Sequence, residues 1–189
     1  MPSRSDFWDR LTLVSDVLAY SFDLHLVSGG PAPDWFDVEG ERCVLCATDL
    51  SNGAYVECLK GENVSRALYV ERGGEAFVLG PDFAHVVSLI VLLPWWREVL
   101  RGGANANLQR WRDVAQSLQQ DFNADLPWLT EAQREVQREV ALPELTDPVA
   151  FLHRWAVRPL QPVRVRLASG VTSYEPELER TPQRSVFWA

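Results

Sequence analysis

Four short β-like runs follow one another with only turn residues between them: 42–47 (RCVLCA), 54–59 (AYVECL), 66–70 (RALYV) and 75–79 (EAFVL). The links carry Asn52-Gly53, Gly61 with Asn63, and Gly73-Gly74. Glycine and asparagine supply the positive φ that tight reversals demand. A parallel neighbour needs a crossover of roughly a dozen residues or more, so links this short force an antiparallel meander.

Helical periodicity frames these strands on both sides. Residues 6–20 (DFWDRLTLVSDVLAY) set Phe7, Leu11, Val14 and Leu18 on one stripe, which predicts a helix. Phe22, Leu24 and Leu26 then alternate with polar residues, and Gly29-Gly30-Pro31 and Pro33 predict a loop from about Gly29 to Glu41. After the strands, Pro81-Asp82 opens an apolar helix running towards Arg101. On a wheel of 100° per residue, Trp96 falls in the stripe of Leu89, Leu93 and Leu100, and Trp95 falls at its rim. Trp96 is therefore expected in the core, and Trp95 half exposed or capped by another element. Pro94 should kink or restart this helix, and Gly102-Gly103 should end it.

Residues 107–122 (NLQRWRDVAQSLQQDF) predict an amphipathic helix on Leu108, Trp111, Ala115, Leu118 and Phe122. Thr130 and Gln133 have the spacing of a capping box for a mostly polar helix, and Asp147-Pro148 is an N-cap and first-turn pair. Residues 163–167 (VRVRL) alternate as a strand does, and the tail ends in Phe187-Trp188, an apolar end expected to dock on the body or to link two copies as a homodimer. The expected fold class is α+β: a small antiparallel meander sheet packed against helices, with a helical C-terminal half and an extended tail. A single domain is expected over 1–189, with an α+β core in 1–100 and a helical extension and tail in 101–189.

No window approaches the roughly 20 apolar residues of a membrane span, and the N-terminus carries acids from Asp6 onward, unlike a secretory signal. A cytoplasmic location is expected. Cys43, Cys46 and Cys58 are too few for a disulfide framework and are expected to stay reduced. Cys43-x-x-Cys46 lies in a predicted strand, where positions three apart face opposite sides, so no metal is expected there. Basic residues are almost all arginine and Ile90 is the sole isoleucine, a usage that fits a GC-rich bacterial genome.

Residues 1–100 hold 15 acids against 7 bases, a balance of −8, whereas 101–189 are neutral with 11 of each. Such an acidic half disfavours nucleic acid and complements a basic protein surface, although solubility alone is served equally well. No metal-ligand spacing of histidines, phosphate loop, dinucleotide fingerprint or nucleophile elbow occurs, and no cofactor is expected. His25, His85 and His153 each have a structural reading. Asp49 and Glu57 flank a hairpin and could pair, but hairpin acids are usually solvated. An enzyme would need a pocket between the sheet and the C-terminal helices, with carboxylates converging on His85 or His153.

The stretch 34–41 (DWFDVEGE) surrounds Trp35-Phe36 with Asp34, Asp37, Glu39 and Glu41. An aromatic anchor ringed by charge is a common hot-spot composition, and the alternative is an aromatic that pins the loop to the core.

From Cys46 to Leu100 the order of features resembles the SUKH superfamily (Smi/Knr-like), on Ala47-Thr48-Asp49, Asn52-Gly53, Gly73-Gly74-Glu75, and Pro81-Asp82-Phe83 opening the helix. The resemblance implies an α+β fold and stoichiometric, non-catalytic binding of a cognate toxin, often a nuclease, as bacterial immunity proteins do. The candidate partner-binding residues are Asp34, Trp35, Asp37, Glu39, Glu41 and Asp49. The alternative is a small-molecule-binding protein or enzyme.

Overall fold

The computed structural model describes residues 4–61, 63–72, 75–103, 107–157 and 165–167. It is α+β. Strands β1 (His25–Pro31), β3 (Arg42–Thr48), β4 (Ala54–Lys60), β5 (Asn63–Val70) and β6 (Ala76–Gly80) form an antiparallel sheet in the order β1-β3-β4-β5-β6. Strand β2 (Phe36–Val38) lies outside it and pairs antiparallel with β7 (Val165–Leu167). The expected loop from Gly29 to Glu41 is thus corrected: β1 continues through Gly30, with its register to β3 shifting between Leu26 and Gly30, and the segment beyond Pro33 forms a strand. The bulge absorbs the glycines without ending the pairing. The tail with Phe187-Trp188 lies outside the described residues.

The meander has two unlike faces, and alternation assigns them. Tyr55, Ala67, Tyr69 and Leu79 belong to the large core shared with the helices. Their neighbours Ala54, Val56, Cys58, Leu68, Val70 and Ala76 form a smaller core closed by Phe36 and Val38 of β2. The central strand β4 is buried from Ala54 through Leu59, as a strand covered on both faces must be.

Over the large core lie α1 (Arg4–Leu13), α2 (Ser15–Phe22), α3 (Phe83–Leu92), α4 (Trp96–Gly103), α5 (Leu108–Asp125), α6 (Leu129–Glu139) and α7 (Pro148–Val157). The single helix expected over 6–20 is interrupted at Val14, and Phe7, Leu11, Val14 and Leu18 all bury across the two segments. The long helix breaks at Pro94, and α3 and α4 meet at 87°. Trp96 is 2% exposed and meets Tyr69 edge-on at 5.1 Å, while Trp95 is 5% exposed and stacks on Phe122 of α5 at 5.2 Å. Trp95 is capped by another element, not left at a wet rim. Gly103 closes α4 beneath Trp111, whose ring would lie 2.5 Å from any added Cβ.

Two further expectations are corrected. Thr130 and Gln133 make no capping box: α6 begins at Leu129, so Thr130 is inside the helix, and Gln133 donates to the Val91 carbonyl at 2.8 Å. Cys43 and Cys58 are not free thiols but a disulfide. They face each other in the β3–β4 register with Cα atoms 4.2 Å apart, the close pairing of an antiparallel ladder. Cys46 is buried on the other face, where desolvation pushes its thiol up and keeps it protonated.

Candidate functional site

The residues singled out from sequence separate into two places. Asp34, Asp37 and Glu39 are exposed along and beside β2. Phe36 is buried, and Trp35 is half-buried, its ring 4.6 Å from that of Phe36 and packed on the smaller core. Alternation explains this: in a strand laid on an apolar sheet face, Phe36 and Val38 point inward and Asp37 outward. Trp35 therefore helps pin the segment and is only partly available to a partner. Glu41 is half-buried and paired with Arg66 at 2.5 Å.

Asp49 is elsewhere, on the helical side of the sheet. It is 4% exposed, accepts from the Gly53 amide at 2.8 Å and the Tyr69 hydroxyl at 2.6 Å, and pairs with Arg97 at 2.5 Å. Arg97 also donates to the Tyr55 hydroxyl at 2.8 Å, reaches Asp23 at 3.5 Å and lies over the rings of Tyr69 and Trp96. Burial raises both phenols above their ordinary value, and for Tyr69 the bond to Asp49 adds to the rise, so both stay protonated. This network ties α4 to β4 and β5.

Glu57 is not a solvated hairpin acid and does not pair with Asp49. Its residue is 5% exposed, one oxygen accepts from the Phe83 amide at 2.8 Å, and the other is held by Arg4 of α1. Asp82 caps α3, accepting from the His85 amide at 2.9 Å and meeting His85 Nδ1 at 2.7 Å. Burial pushes the Asp82 carboxyl up, but the His85 side chain and the His85 and Ala84 amides outweigh it and hold it below the ordinary value. Trp8 stacks on Phe83 at 5.4 Å, and His85 stacks on Phe151 at 5.9 Å.

Arg4, Trp8, Glu57, Asp82 and His85 line a cleft of about 510 Å³ between α1, the start of α3 and the segment 141–143, with Phe7, Leu142 and Pro143 in its walls. That volume suits a small organic ligand. A second cleft of about 620 Å³ shares Arg4 and Trp8 as its wall and runs along β1. Sequence reading missed Arg4 and placed any pocket nearer the C-terminal helices. The available signal was Glu57 itself, a lone acid in an otherwise apolar central strand.

The other two histidines have ordinary partners: His25 faces Asp23 at 3.6 Å, and His153 meets Trp111 edge-on at 5.0 Å. Among the described residues no group of three or more His, Cys, Asp or Glu is placed to hold a metal ion, and no single helix is long and apolar enough to cross a membrane. No protein family, curated protein or solved structure matches this chain.

Proposed function

We propose that the protein is a non-catalytic binding protein of the SUKH immunity type, which neutralises a basic toxin domain by stoichiometric binding through an acidic surface. The observation that carries this reading is the presentation of Asp34, Asp37 and Glu39: exposed on β2 and in the turns at its two ends, next to Phe36 and Val38, which pin the strand to the sheet, within the half of the chain that holds the whole net charge. Exposed acids gathered around an anchored strand attract a basic partner and accelerate encounter. The buried acids Asp49 and Glu57 are each neutralised by an arginine, which suits scaffolding better than proton transfer.

The test is whether a basic toxin domain is encoded beside this gene and, with that domain purified, titration calorimetry and stopped-flow association against the full chain; a neighbourhood with no such gene counts against the reading. A one-to-one complex is expected, and Asp34→Lys/Asp37→Lys/Glu39→Lys should slow association about tenfold at low salt. Absence of a complex, or equal association by the triple variant, overturns the reading. A second reading, a small-molecule-binding protein, is favoured by one observation: Glu57, Asp82 and His85 converge on a single cleft.

A further inference from the structure

The cleft beneath α1 has a feature that ordinary core packing does not require. Its innermost carboxylate, Glu57, is almost wholly removed from water, yet the cation that neutralises it comes from the first residue of α1, and the Arg4 side chain is 55% exposed. A buried acid anchored by a mostly solvated arginine has a replaceable partner, because Arg4 regains hydration on leaving while Glu57 cannot. The second oxygen of Glu57 is held by the Phe83 backbone amide, so the carboxylate stays oriented when Arg4 departs. Asp82 adds a second carboxylate to the same wall. Trp8, Phe7, Leu142 and Pro143 supply an apolar and aromatic lining that a bare inorganic cation would not use.

We propose that this cleft is a binding site for a small organic cation, a planar amidinium or guanidinium on an apolar body, which displaces Arg4 from Glu57. Arg4 acts as the built-in occupant: one nitrogen of its guanidinium holds the Glu57 oxygen that the Phe83 amide leaves open, and the ligand's charged group docks there in a charge-assisted hydrogen bond. The apolar body lies along Trp8 and Leu142, and the Trp8 ring, already stacked on Phe83, is held in place to receive it. The inference rests on the cleft being a ligand site and is independent of the acidic surface on β2.

Benzamidine is the probe, followed in the full chain by the amide resonance of Phe83, which reports directly on Glu57. An internal competitor that occupies a site nine-tenths of the time weakens apparent affinity about tenfold, so Arg4→Ala should tighten benzamidine binding roughly three- to tenfold. Glu57→Gln should weaken it about tenfold or more, since a charge-assisted pair becomes a neutral contact. Ala141→Trp, at an exposed rim position, narrows the cleft without touching Glu57 and should also weaken binding, which keeps the test decisive if Glu57→Gln does not fold. Benzamidine binding that is unchanged or weakened in Arg4→Ala overturns the proposal, as does no binding to either form. Preferential binding of benzoate or benzamide would leave the cleft as a ligand site and overturn the cation.

Discussion

Removing the Asp49 carboxylate should unlock α4 from the sheet. In the native chain that group satisfies three donors at once, the Gly53 amide, the Tyr69 hydroxyl and the Arg97 guanidinium, and its side chain has no solvent exposure. Asp49→Ala leaves Arg97 with the Tyr55 hydroxyl and with Asp23 at 3.5 Å, a longer and wetter contact. Breaking a buried pair from one side costs about 3–5 kcal/mol. Arg97 keeps a fifth of its side chain in water and retains Asp23, which places the loss near the lower end, about 3 kcal/mol. For a chain of this length that lowers Tm by roughly 6–12 °C. Urea unfolding of Asp49→Ala, Arg97→Met and the double variant gives the coupling directly. It should be about 1.5–3 kcal/mol, the range for hydrogen bonds to charged groups, with the double variant more stable than the sum of the singles implies. A loss below about 1 kcal/mol for Asp49→Ala, or a coupling near zero, would refute the reasoning.

The same network makes Gly53→Ala costly, because the new Cβ would lie 2.6 Å from Tyr69 Cε2; the ring must shift off Asp49, at a loss of about 1–3 kcal/mol in urea unfolding. The two helix-capping aspartates should contribute to acid sensitivity. In Asp147, as in Asp82, burial raises the carboxyl but hydrogen bonds outweigh it, here from the Ala150 amide and the Arg112 side chain, so its value is lowered. Stability from both is present above the ordinary carboxyl range and lost as pH falls through the lowered folded values, below about pH 4. Asp82→Asn/Asp147→Asn, which still caps, should flatten that acid limb in pH-dependent urea unfolding, and an unchanged limb would assign it to other acids. Finally, Cys43 and Cys58 close a separation of 15 residues, so a reducing agent should lower stability by about 3 kcal/mol, matched by Cys43→Ser/Cys58→Ser. Alkylation after acid quench of intact cells, with one reactive thiol rather than three, would show the bond formed there.

The meander was legible because its evidence is local. Short glycine-bearing links admit one pairing direction, and a period of two assigns each side chain to a face. Breaks and pairings that depend on distant surfaces were not. Nothing within residues 6–20 announces the break at Val14; α1 meets α6 while α2 meets both α6 and β1, surfaces that only the folded chain brings alongside. Cys43 and Cys58 were visible as residues, and their facing each other depended on register, which a bulge between Leu45 and Ala47 adjusts.

Glu57 shows how far a sequence reading of the site can reach. In a half-solvated strand an acid between Val56 and Cys58 would point to water, and that is the reading its hairpin position invites. In a central strand of a sheet covered on both faces no direction is wet, so the same acid must be buried and must have a cationic partner. The order β1-β3-β4-β5-β6 puts β4 in that position, and the need for an arginine follows from it. Which arginine cannot follow, because the choice lies between residues 53 positions apart that only the packing of α1 brings together. The exposure of that partner, not the acid alone, is what turns a buried ion pair into a site that another cation can enter.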